Sequence, residues 1–209
     1  MSTLKTTLIL SGLYCVLAFE NTAVGQVDIV FSDGTTTGTT FNVDVGTTQT
    51  ISVIAAETET GTALSTDGLN GFGFLLDASA TSGTASEITS FTANPAFSGG
   101  FGTEDDVTAT SLGQRRLIFA NVPGTSVPLG DVDILVNAPG TTVFTLSDFS
   151  ALNDFGTTGG EALDSVIFQG GRTFSFTINA GAAIPEPSGG LLIGFSMLAT
   201  MVRRRRNRC

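Results

Sequence analysis

Between Val27 and Ala183 apolar side chains recur at every second position in one short run after another, and this periodicity restricts the chain to pleated strands with one buried face. The runs are Val27, Ile29 and Phe31; Phe41, Val43 and Val45; Ile51 and Val53; Phe72, Phe74 and Leu76; Leu117 and Phe119; Val132, Ile134 and Val136; Phe144 and Leu146; Val166 and Phe168; and Phe174, Phe176 and Ile178. Turn chemistry separates them at Asp33-Gly34, Asp67-Gly68, Gly99-Gly100, Pro123-Gly124, Pro139-Gly140, Gly159-Gly160 and Gly170-Gly171. No helical period interrupts the series. Nine or ten short strands predict one all-β domain, an antiparallel β-sandwich. Fourteen of the 16 phenylalanines lie between Phe31 and Phe176. At about 25 cal/mol per Å² and roughly 150 Å² or more per ring, they supply much of a core that needs no covalent staple.

Charge narrows the function. The 209 residues carry 19 acidic and nine basic side chains and no histidine or tryptophan. Residues 27–183 hold 17 of the acids but only Arg115, Arg116 and Arg172 as cations, a net charge of −14. Such a surface repels phosphate backbones and anionic lipid, which excludes nucleic acid as a partner. The absence of histidine removes imidazole bases and imidazole metal sites. The two cysteines, Cys15 and Cys209, lie at opposite ends, so once both end segments are removed no thiol remains for a disulfide, a nucleophile or a zinc site.

The ends have a different grammar. At the N-terminus Lys5 precedes an apolar run from Leu8 to Phe19, and Ala23-Val24-Gly25 follows. This is the order of a secretory signal peptide over residues 1–25, an apolar helix with Ala23 and Gly25 at the small positions and Gln26 as the first mature residue. Tyr14, directly before Cys15, is too bulky for a lipoprotein signal. At the C-terminus, residues 184–209, Pro185-Glu186-Pro187 is stiff and extended because each proline fixes its own φ and disfavours helix before it. Gly189 to Val202 is apolar apart from Ser196 and Thr200, and Arg203, Arg204, Arg205 and Arg206 close it. Its length as a helix is roughly 21 Å, against roughly 30 Å for a hydrocarbon core, a difference that snorkelling arginines and local thinning accommodate. Lys5 and the arginine cluster hold both ends in the cytoplasm and leave the body outside.

The order of Pro185-Glu186-Pro187, a short apolar segment and Arg203 to Arg206 resembles the PEP-CTERM sorting signal of Gram-negative bacteria. The resemblance covers about the last 26 residues, and its specificity comes from three unlike elements in a fixed order. It implies export by the Sec machinery and recognition by an exosortase, a membrane enzyme similar to cysteine transpeptidases. Pro185, Glu186 and Pro187 would be the recognition element, Gly189 to Val202 a transient inner-membrane anchor, and Arg203 to Arg206 the stop. It further implies an exopolysaccharide-producing bacterium and a destination at the cell surface or in the extracellular matrix. Within the body, residues 26–183, Val27-Asp28-Ile29-Val30-Phe31, Phe41-Asn42-Val43-Asp44-Val45 and Leu117-Ile118-Phe119-Ala120 resemble cohesin-type and carbohydrate-binding sandwich domains. A jelly-roll or an immunoglobulin- or cohesin-like sandwich is the implied architecture.

Chemistry in the body is sparse. Glu104-Asp105-Asp106 follows Gly102 and is the densest carboxylate cluster. Read as a glycine-rich loop, it is either a solvated acidic loop or the start of a calcium site, since hard cations take six to eight oxygen ligands. Asp131 and Asp133 flank Val132 on a strand and so share one exposed polar face. Neither lysine, tyrosine nor tryptophan occurs in the body, and no nucleophile elbow, phosphate loop or dinucleotide fingerprint is present. Thr35-Thr36-Thr37 and Thr39-Thr40 are exposed strand or loop residues, with O-glycosylation as the functional alternative. The expectation is a non-enzymatic structural or adhesive protein of the surface or matrix. A calcium- or carbohydrate-binding module is the alternative, and an enzyme using two carboxylates on polysaccharide is third.

Overall fold

A computed structural model describes residues 27–58, 63–83, 86–98, 101–150, 154–160 and 162–181. Two sheets pack face to face. The smaller contains β1 (Val27–Ser32), β3 (Thr48–Glu57), β8 (Ser126–Leu135) and β5 (Glu87–Ala93), in the order β1-β3-β8-β5. The larger runs β2 (Thr40–Asp44), β11 (Phe174–Gly181), β9 (Gly140–Asp148), β4 (Leu69–Gly83), β7 (Ser111–Val122) and β6 (Phe101–Val107), with the two-residue β10 (Gly156–Thr157) also beside β4. The β-sandwich read from the alternation is the fold observed.

The alternating residues of β1, β2, β3 and β11 face inward as their period requires, whereas on β7 the expected phase is reversed: Ile118 is buried, and Leu117, opposite Gly71, is only partly so. Val27, Ile29 and Phe31 are buried on β1, Phe41 and Val43 on β2, Ile51, Val53 and Ala55 on β3, and Phe174, Phe176 and Ile178 on β11. Phe176 joins the two sheets: its ring centroid lies 4.7 Å from that of Phe31 in the smaller sheet and 4.9 Å from that of Phe144, to which it is nearly parallel. A second aromatic group forms where Phe72 meets the edge of Phe97 at 5.0 Å and stacks near Phe74.

Three expectations are corrected. The sandwich is not wholly antiparallel, because β2 and β11 run parallel, with Phe41 opposite Ile178. The chain leaves the smaller sheet after Ser32 and enters the larger one at its edge, where a strand arriving from the other layer meets β11 in the same direction. Val166 and Phe168 are not a strand: α1 (Asp164–Ile167) is a single helical turn, and its buried pair is Leu163 and Ile167, four residues apart on one helix face. Glu104, Asp105 and Asp106 lie on strand β6, not in a loop. The signal-peptide and C-terminal segments lie outside the described residues, and among the described residues no helix is long and apolar enough to cross a membrane.

The β9–β10 connection positions the buried polar chemistry of the larger sheet. β9 ends at Asp148 opposite Phe74, the chain returns as β10 with Gly156 opposite Gly71, and Phe149 and Asp154 lie against Gly113 of β7 and Gly73 of β4. Glycine permits this close approach. A Cβ on Gly73 would stand 2.6 Å from the Cβ of Asp154, and one on Gly113 would stand 3.1 Å from the ring of Phe149.

Candidate functional site

Three carboxylate groups and one polar recess are the places where this fold concentrates chemistry. On β6, strand alternation divides the acidic triplet between two faces. Glu104 lies opposite Arg115 and Asp106 opposite Gly113, whereas Asp105 lies opposite Gln114. The Arg116 Nη2 donates to Asp105 Oδ1 at 2.6 Å and its Nη1 to the Glu104 carbonyl at 3.2 Å, while the Arg115 Nη1 stands 3.9 Å from Glu104 Oε1. Two of the three carboxylates therefore have a guanidinium partner. Among the described residues no three acidic, cysteine or histidine side chains converge to hold a metal ion.

Asp131 and Asp133 share the outer face of the smaller sheet, as their spacing requires. Asp131 accepts from the Ser52 hydroxyl at 2.6 Å, and Asp133 accepts from Thr50 at 2.7 Å and from Ser90 at 2.8 Å. These bonds tie β8 to both neighbours. The β1–β2 crossover is ordered by Asp33, whose carboxylate accepts from the Thr36 N–H at 2.6 Å and from the Thr35 N–H and hydroxyl. Those donors hold its carboxyl down to about 2, the Thr36 N–H contributing most and the Thr35 hydroxyl next. Thr35, Thr36, Thr37, Thr39 and Thr40 are exposed.

The third carboxylate group was not read from the sequence. Asp154 is fully buried over Gly73, with its Oδ1 2.7 Å from Arg115 Nε and its Oδ2 accepting from the Ser150 hydroxyl at 2.9 Å. Arg115 Nε and Asp154 Oδ1 are close but not aligned for a hydrogen bond, so the contact is an ion pair. Asp164, at the start of α1, is 6% exposed; its Oδ2 accepts from the Phe155 N–H at 3.0 Å and its Oδ1 has no partner. Burial pushes its carboxyl up to about 7, with the Asp148 and Asp154 carboxylates adding to the rise and the Phe155 N–H opposing it. Burial, with the Asp154 charge assisting, likewise raises Asp148. Asp154 and Asp164 are enclosed, and Asp154 is already held by Arg115 and Ser150. The group acts on the stability of the β9–β10 connection.

The recess lies elsewhere on the larger sheet, at the β2 edge of its outer face. Asn42 on β2, Asn179 on β11 and Thr141 on β9 stand side by side in register. Thr141 Oγ1 donates to Asn179 Oδ1 at 3.3 Å, and Asn179 Nδ2 donates to Asn42 Oδ1 at 3.4 Å. Together with Asp44, Gly140 and Gly181 these residues line a space of about 380 Å³ that is open to solvent. Their adjacency depends on the parallel β2–β11 pairing, which joins the two ends of the body.

No protein-family model matches the chain, and no curated protein matches it. Among solved structures it is similar to a non-cellulosomal cohesin from the hyperthermophilic archaeon Archaeoglobus fulgidus, with a TM-score of 0.47 and 10% identity over 77% of this chain and 93% of that one. It is also similar to a cohesin module of a family 33 glycoside hydrolase from Clostridium perfringens, with a TM-score of 0.49 and 13% identity over 77% of this chain and 98% of that one. At these identities the likeness is one of fold.

Proposed function

We propose that the protein is an exported structural or adhesive component of the cell surface or extracellular matrix, delivered by its C-terminal sorting segment. The observation that carries this reading is the order of Pro185-Glu186-Pro187, the apolar stretch Gly189 to Val202 and Arg203 to Arg206. The last strand of the sandwich ends at Gly181, with three residues between it and Pro185, so the sorting element follows almost directly on the folded body. A body with 17 acidic and three basic side chains and no cysteine suits an environment outside the cell, where it is soluble and indifferent to thiol oxidation.

In this reading the Sec machinery exports the chain, the signal peptide is cleaved before Gln26, and the apolar stretch Gly189 to Val202 anchors the body transiently in the inner membrane. Exosortase then acts near Pro185-Glu186-Pro187 and releases the sandwich toward the surface. The body works as a binding or scaffolding surface and not as an enzyme. Cell fractionation tests the reading in strains with and without the exosortase. Surface or matrix recovery in the first and inner-membrane retention in the second is the expected pair of results; equal distribution in both strains overturns it.

A further inference from the structure

We infer that the recess between Asn42, Asn179 and Thr141 is a binding site for a neutral polysaccharide chain. The inference rests on the adhesive reading of the body and names the ligand class and the contact surface.

The donor and acceptor chemistry is that of a hydroxyl-rich ligand. Each asparagine amide carries two N–H donors and a carbonyl with two lone pairs, and the hydrogen bonds within the row, at 3.3 and 3.4 Å, use a fraction of that capacity. Among the described residues the Nδ2 of Asn42 has no partner and the side chain is exposed. Alternating donors and acceptors in one row can meet sugar hydroxyls, which both donate and accept.

Geometry favours an extended chain. The three side chains stand on neighbouring strands about 4.8 Å apart, a step comparable with the width of a pyranose ring. The next outward row along the same strands is Thr40, Thr177 and Val143, so hydroxyls continue the polar surface on β2 and β11 while β9 presents an aliphatic side chain. Gly140 and Gly181 keep the floor low, and a Cβ placed on Gly181 would meet no atom within 4 Å.

Charge excludes anionic ligands. No cation lines the recess, and Asp44 supplies a carboxylate at its rim. A polyanionic polysaccharide or a phosphate ester would meet repulsion without compensation. The recess has no aromatic side chain, and its aliphatic lining is limited to Val43 and Ala180, short of the large anchors on which protein interfaces concentrate their affinity.

The test uses the full chain and three variants, with hexasaccharides of β-1,4-glucose, β-1,3-glucose and α-1,6-glucose as neutral probes and polygalacturonate as the anionic one, measured by calorimetry. Asn42→Ala with Asn179→Ala removes the amides, Gly181→Phe fills the recess without removing a polar group, and Thr50→Ala alters the opposite sheet. The expected result is binding of at least one neutral probe, weakened tenfold or more by both recess changes and unchanged by Thr50→Ala, with no binding of polygalacturonate. Neutral binding that survives both recess changes overturns the site while leaving the adhesive reading in place. Failure of all three neutral probes overturns the inference together with a polysaccharide-based adhesive role, and leaves the sorting pathway, tested by fractionation, standing on its own.

Discussion

Replacing Asp164 by asparagine should stabilise the protein by an amount that grows as pH rises from about 4 to about 7. The side chain is 6% exposed, and its carboxyl is raised from 3.8 to about 7 by burial first, with Asp148 and Asp154 adding to the rise. The folded state therefore binds a proton that the unfolded state has already released between these two values. Stability from this group is fully present below pH 3.8 and is lost as pH rises through about 7. At about 1.36 kcal/mol per unit, the difference sets a ceiling near 4 kcal/mol for the cost of ionising Asp164 in the fold. Local relaxation and water entry bring the expected value to about 2–3 kcal/mol. Asparagine mimics the protonated acid: its carbonyl still accepts from the Phe155 N–H, and no charge is buried. Urea unfolding at pH 5 and pH 8.5 reads the effect. The wild type should lose stability over that interval, the variant should lose clearly less, and the gap between them, already open at pH 5, should be wider at pH 8.5. Asp148, raised in the same direction, supplies the residual slope in the variant. Parallel pH profiles for the two proteins would refute the assignment of this proton to Asp164.

Other perturbations probe the remaining structural claims. Arg115→Met leaves Asp154 buried without its partner and should cost about 3–5 kcal/mol by urea unfolding, whereas Asp105→Asn, on an exposed side chain, should cost no more than about 1 kcal/mol. Gly73→Ala forces a methyl against Asp154 and should lower stability by about 1–3 kcal/mol, read as a fall in Tm. Phe176→Ala empties the contact shared with Phe31, Phe41 and Phe144 and should cost about 3–5 kcal/mol by urea unfolding. Calcium and chelator should leave the thermal midpoint in place, because β6 divides its carboxylates between two faces; a calcium-dependent rise would restore a site there.

The strands that strict alternation marks, such as Val27 to Phe31 and Phe174 to Ile178, are the strands observed, because one buried face and one solvated face leave a period of two in the residues themselves. β5 escaped because a register shift between Ile88 and Ser90 breaks its alternation, and β6 because Glu104-Asp105-Asp106 places charge on both faces of an edge strand. Val166 and Phe168 mimic a strand only if Leu163 and Ile167, the buried pair, are overlooked. The carboxylate group of Asp148, Asp154 and Asp164 and the Asn42, Asn179 and Thr141 row are products of tertiary structure. The first needs Asp154 to settle over Gly73 of β4. The second needs the two ends of the body to pair in parallel, and no local pattern encodes either.

Intact-mass analysis of the protein recovered from the cell surface or matrix tests the sorting account most directly. In a strain with active exosortase the account predicts a mature species that begins at Gln26 and lacks Arg203 to Cys209. A surface species that still carries the arginine cluster and Cys209 would contradict it.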